Sequence, residues 1–501
     1  MAPLVVDAQS AYMDPKSTEA VRLAINHISR VWELNLVSSS ASFGKLFSSV
    51  PRAAPMLQIL VLSTSTKHSS EPFLDNYSIP PQLFSDDSSQ LRRLELIYCN
   101  LDWTSHILKG LTHLKIHNTA PGTRPSTPLF IDVLDQLPTL TVLDLKDALP
   151  LVADSSTVSY HRTVELRSLT YLHLSGSDSD CSNALRHLSV TYSAILKLSC
   201  RSTVVSDPDF SSILTFVSGL WEPRAIISSA AKPGPHKCPI RTLKIQGVGS
   251  TGLNLQAWPT VLSFQTLSGC PDPQPSIDLF FQWSSTITPG TGDKMIREAC
   301  AALPLEQLAL VDVLNASHMT EQTWLGRFGK LVHLRSIRTQ GRAVHTLLSA
   351  MVAEPSTATG TGVTSNSPTR KRSRNRRKMP PAVYFPSLLH LTIEDTNFDS
   401  GYDEEYAELE DLKDCLMERY WRKAAVRELT LSRCHRLTPD HVDELREIVV
   451  DVIWDGLETG FNDWDVGEDD YGDHFGFMED DIDDHIFDGI DSDDDYSSFA
   501  F

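Results

Sequence analysis

The sequence predicts an α/β fold: a degenerate leucine-rich-repeat solenoid with a curved, mainly parallel sheet, helices and loops lying outside it. Three observations predict it. The pattern L-x-x-L-x-L recurs nine times in 501 residues, several copies 20–29 residues apart. Helical patterns fall between the copies. Two stretches, 354–381 and 460–501, are too polar to join a core, and read as a disordered basic loop and a disordered acidic tail.

The copies begin at Leu57, Leu91, Leu111, Leu140, Leu169, Ile240, Leu305, Leu388 and Val426, and Leu331-x-x-Leu334 is a broken one. The clearest is Leu91-Arg-Arg-Leu94-Glu-Leu96. Alternate residues of a strand face opposite ways, so Leu94 and Leu96 turn inward while Arg93, Glu95 and Ile97 turn outward. One such strand cannot bury its apolar side alone, but stacked neighbours form a continuous core. Starts after Leu57 come at intervals of 34, 20, 29 and 29 residues, then a long gap runs to Ile240, so insertions are expected on the helical or loop side.

Helices are expected over 18–29, with Thr18 as the cap and Val21, Leu23, Ala24, Ile25 and Ile28 nearly on one face. A second covers 405–424, with Leu409, Leu412, Leu416 and Tyr420 at helical spacing. A third opens at Thr438-Pro439-Asp440, where a capping hydroxyl, a proline at the first position and an early acid coincide. Val442, Leu445 and Val449 mark its buried face, and it closes the array. The chain is thus divided into a disordered N-terminus 1–16, repeats over 17–353, the basic loop 354–381, last repeats and capping helices over 382–459, and the tail 460–501.

Charge is distributed unevenly. Residues 447–501 hold 20 of the 64 acids and none of the 44 bases, so the net −20 belongs to the C-terminal end and the rest of the chain balances. A neutral body gives no general affinity for nucleic acid, and the acidic end would repel phosphate. Eight cysteines without a C-x-x-C pair are too few for a disulfide scaffold. Met1–Pro15 lacks the basic and apolar regions of a signal peptide, and no stretch approaches the ~20 apolar residues of a membrane span. The expected location is nuclear or cytoplasmic, with thiols reduced.

Catalytic motifs are missing. Thr359–Gly362 reads T-G-T-G without a following Gly-Lys-Ser/Thr, and neither G-x-S-x-G nor H-E-x-x-H occurs. His236 and Cys238 have no second pair at ligand spacing. The tail lacks an EF-hand pattern, which leaves diffuse solvated charge. His113, His173, His333 and His390 recur beside strand leucines and read as ordinary solvent-facing residues. No enzyme activity, cofactor or metal is expected.

The outward strand positions are the candidate binding surface, since repeat arrays bind on their concave sheet. They are Arg93, Glu95, His113, Lys115, Val142, Asp144, Tyr171, His173, Thr242, Lys244, Gln307, His390, Thr392, Glu428 and Thr430. Their mixed charge points to a protein partner rather than nucleic acid, which would need a basic stripe. The bland alternative is that they only keep the sheet soluble. The cluster Arg370, Lys371, Arg372, Arg374, Arg376, Arg377 and Lys378 reads as a nuclear import signal for an import receptor. Ser367-Pro368 just upstream is a candidate phosphorylation switch.

The run LRRLELIYCNLDWTSHILKGLTHLKIHN at 91–118, followed by LPTLTVLDLKDALP at 137–150, resembles the repeat region of fungal, especially basidiomycete, F-box-like leucine-rich-repeat proteins. HISRVWELNL at 27–36, AILKLSC at 194–200 and IDLFFQW at 277–283 extend the resemblance over about 17 to 455. Cys99 and Cys434, each three positions after the last strand leucine, suit the cysteine-containing repeat subtype. The resemblance implies a substrate adaptor: an F-box docks on a Skp-type adaptor of a cullin ubiquitin ligase, and the repeats present a protein for ubiquitination. An F-box itself is not found in the sequence. The alternative is a nuclear interaction scaffold with no ligase link.

Overall fold

The computed structural model describes residues 3–8, 15–48, 53–64, 76–84, 90–152, 162–202, 208–221, 239–269, 273–284, 290–354, 383–398 and 408–457. The basic cluster 370–378, His236, Cys238 and the acidic tail lie outside them. The protein is α/β. Eleven α-helices and one sheet of 16 strands are formed by the described residues.

The sheet strands are β1 (Leu4–Ala8), β2 (Val31–Ser38), β3 (Ile59–Thr64), β4 (Arg93–Ile97), β5 (His113–His117), β6 (Val142–Lys146), β7 (Tyr171–Ser177) and β8 (Ile195–Arg201). Then come β9 (Thr242–Val248), β10 (Gly252–Trp258), β11 (Ile277–Gln282), β12 (Leu310–Leu314), β13 (Ser336–Gln340), β14 (His390–Glu394), β15 (Glu428–Ser432) and β16 (Asp451–Trp454). β1 to β8 follow chain order across the sheet, and β12 to β16 do so again. Between them the order reverses: β8 is followed by β11, β10, β9 and then β12. Only the β9–β10 and β10–β11 pairs are antiparallel. The sheet is open, with β1 and β16 as its edges.

Leucine alternation determines which face is buried. Leu94, Leu96, Leu114, Ile116, Leu143, Leu145, Leu172 and Leu174 are all buried, and they join Phe43, Phe130, Leu185, Leu347, Leu412 and Val442 from the helices in one apolar cluster. That cluster runs from Val6 to Val449. Cys99 and Cys434 occupy matching sites within it. Cys99 Sγ reaches the Leu62 carbonyl of the preceding strand at 3.7 Å, and Cys434 Sγ reaches that of Ile393 at 3.6 Å. Burial pushes both thiols up to about 12. The cysteines of the described residues are all free.

Several expectations are corrected. Leu4–Ala8, assigned to a disordered N-terminus, is an edge strand on β2. The first helix starts at Pro15, so Thr18 lies inside it rather than at its cap. Tyr420 is 61% exposed and does not continue the buried face of Leu412 and Leu416. Thr438 does cap the last helix, in a capping box with His441. That helix does not close the array, because β16 follows it. Two repeat registers shift by three residues. Val311 and Ile337 pair with each other and, through β9 and β14, align with Leu243 and Leu391. The inward residues of β12 are therefore Val311 and Val313, not Leu308 and Leu310.

Candidate functional site

The repeat strands turn their non-leucine side to the opposite face, which the segment after β10 covers at Thr242, Asp312 and Arg338. Backbone pairing places one side chain per strand in a central row, because residues that pair across a sheet share a face. From β4 to β8 the row reads Glu95, Lys115, Asp144, His173, Lys197. It continues through β11, β10, β9, β12 and β13 as Asp278, Gln256, Lys244, Asp312, Arg338, then reaches Thr392 and Thr430. Acidic residues therefore stand beside basic ones along most of the sheet. Such opposite pairs are worth about 0.2–1 kcal/mol each.

The expected residues Arg93, Glu95, His113, Lys115, Val142, Asp144, Tyr171, His173, Thr242, Lys244, His390, Thr392, Glu428 and Thr430 all fall on this face. Gln307 does not: it sits in an exposed turn before β12, and Leu310, the partner of Thr242, holds that strand position instead, with Asp312 two residues further on in the central row. Lys197, Asp278, Gln256, Asp312, Arg338 and His117 join the face without having been singled out. For Lys197 the signal was present in Leu196-x-Leu198, a copy lacking its first leucine.

Three places on the face are tightly knit. On β4 and β5, Glu95 accepts from Arg93 and lies 3.2 Å from His113 Nε2. Burial alone would raise the Glu95 pKa, but the His113 hydrogen bond and the charges of Arg93, His113 and Lys115 win and hold it at about 2. On β12 and β13, Arg338 donates from Nε and Nη2 to the two Asp312 oxygens at 2.7 and 2.6 Å. The segment after β10 folds over this pair. Ser268 Oγ lies 2.7 Å from Arg338 Nη1, and the Phe264 ring sits 5.1 Å from the guanidinium carbon. Leu262, Phe264 and Leu267 form a small apolar cap there with Trp258 and Leu310.

The third place joins β5, β6 and β7. Asp144 Oδ1 meets His117 Nε2 at 2.8 Å and His173 Nδ1 at 2.7 Å. The two imidazoles stand perpendicular, their centroids 6.3 Å apart. All three residues are buried, which corrects the solvent-facing expectation for His173. Burial alone would raise the Asp144 pKa, but hydrogen bonds from both histidines hold it well below the usual carboxylate range. Burial lowers the His173 pKa, and the Asp144 bond only partly offsets this. Among the other expected histidines, His390 meets Glu428 at 3.3 Å and His333 is exposed in a turn. His117 was missed because it lies two positions beyond Lys115, where the repeat pattern ends.

Among the described residues no helix is long and apolar enough to cross a membrane. No family model matches the chain, and no curated protein matches it.

Proposed function

We propose that the chain is a non-enzymatic protein-recognition module of the leucine-rich-repeat class, its open sheet face holding a protein partner. The observation that supports this reading most is the central row of alternating charge. It spans ten neighbouring strands, whereas a catalytic cleft would gather its groups at one point. Because each charge has an opposite neighbour, the row has little net field. Lys115, Lys197, Asp278, Gln256 and Lys244 are partly exposed members of the row, and they would select a partner by matching local charges. With the sequence resemblance, this supports an F-box-like adaptor presenting a protein for cullin-type ubiquitination. The test is co-purification of the full chain with a Skp-type adaptor. Captured adaptor supports the ligase link, and an intact, folded chain that captures none overturns it.

The second reading, a nuclear scaffold without a ligase link, is favoured by Arg370–Lys378. Deleting 370–378 is expected to leave thermal melting unchanged and to move a fluorescent fusion from nucleus to cytosol. An identical distribution with and without the cluster would refute import through it.

A further inference from the structure

The geometry points to a binding site for a divalent transition-metal ion of the zinc class at His117, Asp144 and His173. The three residues come from three adjacent strands, and one potential ligand atom from each lies within 4.8 Å of the other two. Pairing explains the convergence. Asp144 and His173 are direct cross-strand partners. His117 is two residues past the partner of Asp144 on β5, so it shares the face and reaches Asp144 diagonally.

The donor set fits the ion. Two imidazoles and one carboxylate are the ligands that zinc and its first-row neighbours take, and calcium and magnesium prefer oxygen alone. The spacing fits as well. Ligand atoms about 2.1 Å from a tetrahedral ion are about 3.4 Å apart. The present N···O separations are 2.8 and 2.7 Å. Side-chain rotations that open each by about 0.6–0.7 Å, and bring the two histidine nitrogens to the same spacing, admit the ion. The sheet already fixes all three backbones, so little ordering is needed on binding.

Without metal, each ring donates its N–H to the same Asp144 oxygen. With metal, those nitrogens must be bare, so each ring proton moves to the far nitrogen of the same imidazole. Asp144 keeps its charge, and the site gains the two charges of the ion. Lys197 stands beside His173 on the same face. Its charge opposes a cation, so Lys197→Ala is expected to tighten binding.

The test is calorimetric titration of the full chain with zinc chloride, with magnesium chloride as control. The expected result is one zinc-selective site that H117Q and H173Q each remove. Glutamine can still hydrogen bond to Asp144 but is a poor ligand. The loss should exceed the roughly 10–100-fold that removal of an outer-sphere partner costs. Mass-spectrometric mapping of diethyl pyrocarbonate modification should show zinc shielding His117 and His173 in the unaltered chain, which needs no variant to fold. No zinc binding, binding unchanged in both variants, or shielding confined to other histidines overturns the proposal.

Discussion

Glu95, Asp144 and His173 respond to acid with the same sign. The Glu95 pKa falls from 4.5 free to about 2 in the fold. Its contribution is complete above pH 4.5 and is lost as pH drops from 4.5 towards 2. Asp144 behaves likewise from 3.8 downward. His173 has its pKa lowered from 6.5, so below pH 6.5 the unfolded chain takes up that proton first and stability declines. Urea midpoints should therefore fall from about pH 6.5 downward and most steeply below pH 4.5. Glu95→Gln should flatten the lower limb, worth about 3 kcal/mol at most. An unchanged profile in that variant would show that Glu95 is not held ionised by its neighbours. Asp312 and Arg338 test the opposite end of the row. Asp312→Ala leaves a guanidinium that is 3% exposed with Glu394, 3.5 Å away, as its remaining carboxylate, and should cost at most about 3–5 kcal/mol. Asp312→Leu combined with Arg338→Met should recover most of this in urea melts, because two apolar groups need no partner.

At the scale of the element, each strand must turn sharply to leave the sheet, and the structure does this the same way repeatedly. Tyr98, Asn118, Asp147, Asn315, Asp395 and Arg433 directly follow strands and all have φ between 48° and 56°. Asn and Asp tolerate that left-handed conformation because their short side chains bond locally. Asn118→Ala should cost about 1 kcal/mol and Asn118→Gly much less. Equal losses by chemical denaturation would place the cost in the Asn118 side chain rather than the backbone. These turns also explain what could be read from the sequence. Leu91–Leu96 and Leu140–Leu145 are legible because the strand leucines are regular and Asp147 ends the second run. β12 is not, because Leu305, Leu308 and Leu310 imitate the pattern three residues early. The valines that pack inward carry a weaker signal, though Asn315 after β12 marks the true end. β9 is legible as the Ile240-x-x-Leu243-x-Ile245 copy, but β10 and β11 lie between the copies at Ile240 and Leu305, where no spacing rule applies. His117 and Asp144 each look ordinary in sequence. Only the pairing of β5 with β6 puts them on one spot.

Across the described residues the apolar cluster is continuous from Val6 to Val449, so damage to one strand is felt by the strands packed beside it. A strand in the middle of the sheet packs against two neighbours and an edge strand against one, so a lesion in the middle breaks two interfaces whereas one at an edge breaks one. Leu143 is 0% exposed on β6, between β5 and β7. Leu143→Asp places a carboxylate in the apolar cluster, a cost of several kcal/mol. It should lower the thermal midpoint far more than Val6→Asp, since Val6 lies on an edge strand and is already 9% exposed. Circular dichroism melts of the two variants compare the costs, and hydrogen exchange locates them. The central variant should lose amide protection on β5, β6 and β7 together, and the edge variant on β1 alone. Protection lost at β6 only would mean that the strands are stabilised separately, against the shared core that packs them.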